Sequence, residues 1–274
     1  MYKFILLLCL LFVKDYVKIY NSEEICYTEV RKCLLMNKKQ YTADKIIEFD
    51  KYLSSVKIDV VDGYKLINPF NSDLKNQTAQ VIQSFYHKFY DDTKKRRMIL
   101  GSSPARRGSA ITGVPFEDAA HLQNQTGIYI DNFYVNKSSS NFLYDVIEMY
   151  GGTEKFYNDF YMNFVCPLGI TKVNSNGREV NCNYYENKNL LMSLYDFIVE
   201  TLTMQVEFNI DRSVCYCIGT GENYKFLNEI NEKFNFFDKI VPLEHPRFIM
   251  QYNSRNKNYY LEKYLEALKE SSLY

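Results

Sequence analysis

Residues 98–118 read MILGSSPARRGSAITGVPFED, and this stretch decides how the whole chain is interpreted. A short apolar run, residues 98–100, leads into a loop that holds three glycines, two prolines and two adjacent arginines. An apolar run that stops at a glycine predicts a buried strand, and small residues let the backbone after it approach a ligand closely. The N–H groups of such a loop can bind anionic or carbonyl oxygens. We therefore predict a strand that leads into a ligand-binding loop.

Three other apolar runs have the same organisation, each ending in a short loop. They are FYMNFV (160–165), VCYCI (214–218) and KIVPL (239–243). Segments with helical spacing of apolar residues alternate with these runs: 42–55, 74–92, 141–152, 188–207, 222–234 and 256–270. Short apolar runs that alternate with helices are typical of a parallel sheet covered on both faces. We predict one domain, residues 39–274, of the three-layer α/β/α class with a short central parallel sheet.

Ligands of an open parallel sheet bind beyond the carboxyl ends of its strands. Four loops are expected to meet at that edge: GSSPARRG (101–108), CPLGI (166–170), GTGEN (219–223) and EHPRFIMQY (244–252). These loops contain most of the chemically suggestive side chains of the chain. The functional site is therefore predicted at this edge.

Residues 1–38 are predicted to be a separate extension. An apolar run from Phe4 to Val13 is too short to span a bilayer and long enough for the apolar part of a signal peptide. No small-residue cleavage site follows it. Three interpretations stay open: a secretory signal, a packed N-terminal helix, or an upstream extension foreign to the native protein, with Met36 as the alternative start.

Composition excludes some classes of site. The chain has 33 basic and 33 acidic residues, so any site for a polyanion must be a local patch. The seven cysteines form no CxxC pair, and their spacing fits neither a zinc site nor an iron–sulfur cluster. We interpret them as reduced, mostly buried thiols of a cytoplasmic protein.

A basic patch surrounds the glycine-rich loop. Six cations and no acid lie in residues 94–107: Lys94, Lys95, Arg96, Arg97, Arg106 and Arg107. We expect the lysines to form a solvated face. Arg106 and Arg107 lie inside the loop itself, where contact with phosphate is expected of at least one of them.

Two other patterns give only weak support for a catalytic or cofactor site. A Cys166–His245 hydrolase is conceivable from residue types, but Cys166 precedes Pro167 and nothing marks it as an exposed thiolate. The Gly219-x-Gly221 pair lacks the third glycine of a dinucleotide fingerprint, because position 224 is tyrosine. Neither pattern predicts a site.

Four segments together resemble a known enzyme family. They are the proline-containing loop after the first apolar run (101–104), the sequence Thr-Gly-Val-Pro-Phe (112–116), the pair Pro-Leu after the apolar run 160–165 (167–168), and a late His-Pro pair (245–246). The combination resembles the uracil-DNA glycosylase superfamily, in particular the bacterial second subfamily of single-strand-selective monofunctional uracil-DNA glycosylases. The resemblance runs from about Tyr41 to Leu268.

The resemblance implies removal of uracil or a related deaminated base from DNA in base excision repair, with no metal or diffusible cofactor. The target nucleotide is flipped out of the duplex because its glycosidic bond is inaccessible in the stack. The family pattern implies that Phe116 stacks on the base and Asn163 bonds its Watson–Crick edge, with Gly101 and Ser102 beside it. It also implies that His245 donates to the base O2 as negative charge develops. Asn163 lies four residues before Pro167, a spacing that differs by one residue from that of the vertebrate-type enzymes of the family.

The partner implied is DNA, single- or double-stranded, bound by a monomer without a membrane. The loop from Pro246 to Tyr252 is expected to probe the helix, and the expected DNA contacts are Arg106, Arg107, Pro246, Arg247 and Phe248. The chain is expected in the cytoplasm with the nucleoid; secretion follows only if residues 1–38 are a signal.

One departure concerns catalysis. The family often has Asn or Asp before the proline of the first motif, where this chain has Ser103; Ala105 also replaces a usual glycine. Serine is no strong base at neutral pH, but it can orient a water, so Ser103 and His245 are the predicted catalytic residues. Two other functions stay open: a non-catalytic binder of damaged or single-stranded DNA, and a glycosidase of free nucleosides.

Overall fold

The structure is a computed structural model that describes residues 40–117, 121–123 and 139–270. The proposed extension, residues 1–38, lies outside these ranges, so its three interpretations and the domain boundary stay predictions. The elements follow in the order α1 (Thr42–Ser55), β1 (Tyr64–Ile67), α2 (Lys75–Tyr90), β2 (Arg96–Gly101), α3 (Ser109–Thr112), α4 (Ser139–Tyr150), α5 (Thr153–Asp159), β3 (Phe160–Phe164), β4 (Gly169–Val173), β5 (Glu179–Cys182), α6 (Lys188–Gln205), β6 (Ile210–Ile218), α7 (Glu222–Phe234), β7 (Ile240–Leu243), α8 (Pro246–Tyr252) and α9 (Lys257–Glu270).

The central sheet is parallel, with strand order β3-β2-β6-β7. Every residue of β2 and of β3 is buried, which agrees with apolar runs covered on both faces. Helices flank the sheet: α1 packs against α2, and α4 packs against α8 and α9. The predicted α/β class and the six predicted helices are confirmed.

A second sheet was not predicted. It has the order β1-β4-β5 and is antiparallel throughout. The segment 166–170, expected to be a loop, therefore ends inside β4. Strands β1 and β5 have four residues each and are largely half-buried or exposed, so their sequences carry too little alternation to be recognised.

Two arginines of the predicted basic patch belong to the core. Arg96 is 1% exposed, and its guanidinium donates to both carboxylate oxygens of Asp92, at 2.8 and 2.9 Å, and from Nε to the Tyr157 carbonyl, at 2.7 Å. Arg97 is 8% exposed and donates to the Leu268 carbonyl at 2.8 Å. A buried guanidinium needs such partners. Asp92 is four residues from Arg96, whereas the Tyr157 and Leu268 carbonyls come from segments far away in sequence. The hydrogen bonds from Arg96 lower the pKa of Asp92.

Among the described residues, no helix combines the length and the apolar character needed to cross a membrane.

Candidate active site

The loops after β2 and β3 leave the sheet side by side. Gly101 and Phe164, the last residues of these strands, are register partners. Beyond them the Val165 N–H donates to the Gly101 carbonyl at 2.8 Å, and the Cys166 N–H donates to the Ser102 carbonyl at 3.0 Å. The ladder thus continues into the loops and fixes the start of the 101–108 segment at the predicted edge.

Phe116 packs over the end of β2. Its ring stacks on Phe164 with 4.7 Å between ring centroids and 28° between planes. A Cβ placed on Gly101 would lie 2.6 Å from the Phe116 Cζ, a distance that no unstrained contact reaches. Gly101, predicted to bind the base, therefore has a role that the structure itself shows: it makes room for the Phe116 ring.

The backbone of Phe116 is held in an uncommon conformation. Its φ is +62°, in the left-handed region, which is an outlier for a bulky residue. The Phe116 N–H donates to the Ser109 Oγ at 2.8 Å, which helps hold this conformation. Strain of this kind costs on the order of 1–3 kcal/mol and concentrates at functional sites. The ring is half-buried, so it is fixed on one side without being lost in the core.

The two serines of the loop differ in their surroundings. Ser102 is buried, and its hydroxyl donates to the Asn183 Oδ1 at 2.9 Å. Ser103 is half-buried, and its hydroxyl forms no hydrogen bond with any residue that the structure describes. Ser102 is therefore committed to fixing the loop, whereas the Ser103 hydroxyl can bind a water. Asn183 went unrecognised in the sequence because it follows the unpredicted strand β5.

Asn163 lies on β3, one residue before the strand ends, and is buried. Its Oδ1 accepts from the Phe164 N–H at 2.8 Å, and its Nδ2 donates to the Tyr161 hydroxyl at 2.6 Å. An amide has two N–H groups and two acceptor lone pairs, so these bonds leave one of each. Because a backbone N–H can only donate, the bond from Phe164 fixes which end of the amide is the oxygen.

His245 is the N-cap residue of α8. Its Nδ1 accepts from the Arg247 N–H at 3.1 Å, so in the neutral ring the proton is assigned to Nε2. Desolvation by the surrounding protein, and then the charge of Arg247, lower its pKa to about 4. The residue as a whole is exposed, so the ring is accessible from the surface of the protein. At neutral pH this imidazole is an uncharged Nε2–H donor.

The segment after His245 is a helix, which corrects the predicted loop. Residues 246–252 form α8, where proline at the first helical position lacks only an N–H that would have had no partner. Pro246 is buried and occupies the first position of this helix, so its role in the structure is to begin the helix. Arg247 is exposed, and Phe248 is 45% exposed next to Tyr252, which is 71% exposed. The side chains predicted to contact DNA therefore belong to a short helix and not to a loop.

The two loop arginines lie at an open groove. Its lining is Ala105, Arg106, Arg107, Arg178, Glu179, Val180 and Asn181. The Arg106 backbone N–H donates to the Asn181 Oδ1 at 2.9 Å, while its Nη1 lies 3.9 Å from the Glu179 Oε2. Arg178, which is exposed, was not predicted to belong here, because it lies beside β5. Three arginines against one carboxylate make the groove basic.

Cys166 is unsuited to nucleophilic catalysis. Its side chain is fully buried, and burial raises the pKa of the thiol to about 12. A thiol that stays protonated and inaccessible is no nucleophile at neutral pH. Within the described residues no cluster of three or more His, Cys, Asp or Glu side chains could hold a metal ion.

The sequence model of the Uracil DNA glycosylase superfamily matches residues 87–269. Among solved structures, the chain is similar to one described as the crystal structure of WT Pedobacter heparinus SMUG2, with 42% sequence identity and a TM-score of 0.80. That similarity covers 85% of this chain and 99% of the other. A search of curated proteins gave no match. The resemblance inferred from the motifs is confirmed.

Proposed function

The chain belongs to the uracil DNA glycosylase superfamily, and from this premise we propose that it is a monofunctional DNA glycosylase that removes uracil or a related deaminated base. The observation that carries the proposal is the neutral His245, whose Nδ1 is occupied and whose Nε2–H remains available. The similarity to Pedobacter heparinus SMUG2 supports the assignment to the branch that the motifs indicate.

The proposed reaction breaks the bond between C1′ of the sugar and N1 of the base. A water oxygen bonds to C1′ while the bonding electron pair leaves with the base, and the proton that the water loses passes through solvent to the departing uracil anion. Negative charge then develops on the base oxygens, so a donor aimed at O2 lowers the barrier. A neutral imidazole can supply this hydrogen bond without transferring its proton, which suits the Nε2–H of His245.

Phe116 and Asn163 would hold the flipped base. Phe116, supported from behind by Phe164, offers a rigid aromatic surface on which a base stacks. The remaining N–H and lone pair of Asn163 match the O4 acceptor and N3–H donor of uracil. Cytosine has the opposite pattern at these positions, so the fixed amide disfavours it.

Water would be oriented by Ser103, whose hydroxyl no described residue engages. Serine is a weak base at neutral pH, so we assign it positioning of the water. The bond to the base breaks largely before water attacks, since the sugar develops oxocarbenium character. Most of the rate enhancement is therefore assigned to His245. A water that Ser103 orients needs no strong base to attack C1′ once the base leaves.

Two features favour DNA over a free nucleoside. The groove lined by Arg106, Arg107 and Arg178 suits a phosphate backbone, and exposed Phe248 on α8 suits contact with neighbouring bases. The loops at the edge contain no lysine that could form a Schiff base, so strand cleavage is not proposed. A monomeric state, base flipping and a cytoplasmic, nucleoid-associated location stay predictions.

The test is incubation of the purified protein with single-stranded and duplex oligonucleotides that carry uracil, hypoxanthine or xanthine. We expect strand breaks only after alkali treatment, because a monofunctional enzyme leaves an abasic site intact. The His245→Ala variant is the control for contaminating glycosylases. Tight DNA binding without release of any of the three bases would replace this proposal by the non-catalytic binder, which Ser103 motivates.

A further inference from the structure

A buried carboxyl group directly follows the proposed stacking residue in the chain. Glu117 is 2% exposed, although its neighbour Phe116 is only half-buried at the proposed pocket. The Tyr157 hydroxyl donates to the Glu117 Oε1 at 2.5 Å, and the Tyr144 hydroxyl donates to the Glu117 Oε2. Both carboxyl oxygens therefore have a partner, one from α5 and one from α4.

Tyr157 is a rigid partner for this carboxyl group. It is buried, and its ring centroid lies 5.1 Å from that of Phe85 and 4.8 Å from that of Phe89. Burial, and then the charge of Glu117, raise the pKa of the Tyr157 hydroxyl, so this group stays protonated and donates. The side chain of Glu117 is thus held by a group that packing has already fixed.

The backbone on either side of Phe116 is also held. The Phe116 N–H donates to the Ser109 Oγ at 2.8 Å. The Thr112 hydroxyl lies 3.2 Å from the carbonyl oxygen of Glu117 and 3.2 Å from that of Val114, and its single proton donates to one of them at a time. Phe116, with its left-handed φ of +62°, therefore lies between its own bound N–H and a residue that is bound through both side chain and carbonyl.

Stability by itself gives no reason for a carboxyl group at this place. Burial removes such a group from water, and a set of buried polar partners can often be replaced by apolar side chains of similar volume without loss of stability. A bulky residue with a left-handed backbone, however, persists only where its surroundings hold it. The bonds of Glu117 provide such a constraint at the next residue.

We propose that Glu117 is a positioning residue for base recognition: its bonds to Tyr144 and Tyr157 hold the backbone of Phe116 and thereby the plane of the ring on which the base stacks. This inference rests on the proposed function, in which Phe116 stacks on the flipped base. Without Glu117 the backbone of Phe116 relaxes, and the ring loses its stacked arrangement on Phe164. The pocket then discriminates less well between uracil and an empty site.

The experiment compares affinities for two oligonucleotides of one sequence. One carries a 2′-fluorinated deoxyuridine, which resists cleavage, and the other carries a tetrahydrofuran abasic analogue. The ratio of the two dissociation constants, abasic over uracil, measures base recognition, because contacts to the DNA backbone contribute to both complexes. Melting temperatures of the same variants measure stability.

Glu117→Leu is expected to lower this ratio by about tenfold, less than the roughly thirtyfold loss expected of Phe116→Ala, which removes the ring itself. Glu117→Gln should stay within about twofold of the wild type, because an amide accepts from one tyrosine and donates to the hydroxyl oxygen of the other. In the Phe116→Ala background, Glu117→Leu should lower the ratio no further, since the carboxyl group acts through the ring.

Tyr90→Phe is the matched control. It removes another buried hydroxyl of the same aromatic cluster, one that donates to the Phe160 carbonyl at 3.0 Å. Its melting temperature should fall, because that carbonyl loses its partner, while the ratio should stay at the wild-type value. A purely structural role of Glu117 would give this same pattern in Glu117→Leu.

A wild-type ratio in Glu117→Leu therefore overturns the inference, as does a loss in Glu117→Gln as large as that in Glu117→Leu. If Glu117→Leu does not fold, it is combined with Tyr144→Phe and Tyr157→Phe, which leaves no buried hydroxyl without its partner. A wild-type ratio in that triple variant is equally decisive against it. Failure of the proposed function would look different, because the wild type itself would then neither prefer the uracil oligonucleotide nor release uracil.

Discussion

Gly101 lies against the ring of Phe116 so closely that a methyl group on its Cα would come within 2.6 Å of the Phe116 Cζ. The glycine ends the central strand β2, and the ring belongs to a segment held with a left-handed backbone. The end of the sheet therefore sets where the proposed stacking surface stands, and that position requires a residue without a side chain at the end of β2.

Gly101→Ala should displace the Phe116 ring. Extra volume in a packed site typically costs about 1–3 kcal/mol, so we expect a lower melting temperature and uracil excision reduced by roughly tenfold or more. Single-turnover rates and thermal melting measure both effects. Gly221→Ala, the same change at a glycine where an added Cβ would meet no atom within 4 Å, is the control. Wild-type excision by Gly101→Ala would show that the ring position is unimportant.

His245→Ala should lower uracil excision by roughly 10²- to 10³-fold, the usual loss for one donor to a developing oxyanion. His245 also caps α8, so about 1 kcal/mol of stability should be lost as well, more than a loop residue would contribute. His245→Asn is the matched variant, because asparagine can cap the helix without an imidazole donor. Excision at the wild-type rate by His245→Ala would exclude His245 as the donor to the base.

The pH dependence should reflect the lowered pKa of His245. With a folded pKa of about 4 against an ordinary 6.5, the ring stays neutral as pH falls through 6.5, so its contribution to excision should persist until pH approaches 4. The free energy of unfolding should also depend on pH. Between about pH 6.5 and 4 the unfolded chain binds a proton at His245 that the folded chain does not bind, so the contribution of this group to stability declines below about pH 6.5. Single-turnover rates between about pH 4.5 and 8 test this, and a decline centred on 6.5 that is absent in His245→Asn would contradict it.

Arg106→Ala and Arg107→Ala should weaken binding of damaged and undamaged DNA about equally. Removal of one phosphate-binding side chain lowers the salt slope of binding by up to about one. Lys239→Ala, an exposed position just before β7 at the opposite edge of the sheet, should leave the slope unchanged. Glu179→Gln should strengthen binding, because the carboxylate lies 3.9 Å from the Arg106 guanidinium. A weakening confined to uracil-containing DNA would contradict the assignment to phosphate.

Ser103→Ala should keep measurable activity and lose about tenfold or less, since one neutral hydrogen bond contributes about 1 kcal/mol. Ser103→Asn restores the residue usual in related enzymes and should raise uracil excision if the larger side chain fits. Both are assayed under single-turnover conditions, so that slow product release does not mask the chemistry. A loss in Ser103→Ala as complete as in His245→Ala would show that serine does more than orient water.

The sequence alone determined the main elements of the fold and the edge of the sheet at which the proposed site lies. Helical spacing and short apolar runs are local patterns, and parallel strands bring their carboxyl ends to one edge. The loop that begins at Gly101 and the segment that contains His245 could therefore be assigned to one edge from the order of the residues. The motifs in those segments identified the family.

Only the tertiary structure decided which polar groups have partners. Arg96 and Arg97 belong to a basic run in the sequence, yet both are buried in the core, where the carbonyls of Tyr157 and Leu268 accept from them. The bond from Arg247 that fixes the His245 tautomer depends on a helix that was predicted as a loop. Asp50 lies on the buried face of α1, but Asn163, which lines a small cavity together with it, comes from strand β3. A sequence pattern indicates which face of an element is buried, whereas the partner across that face depends on how distant elements pack.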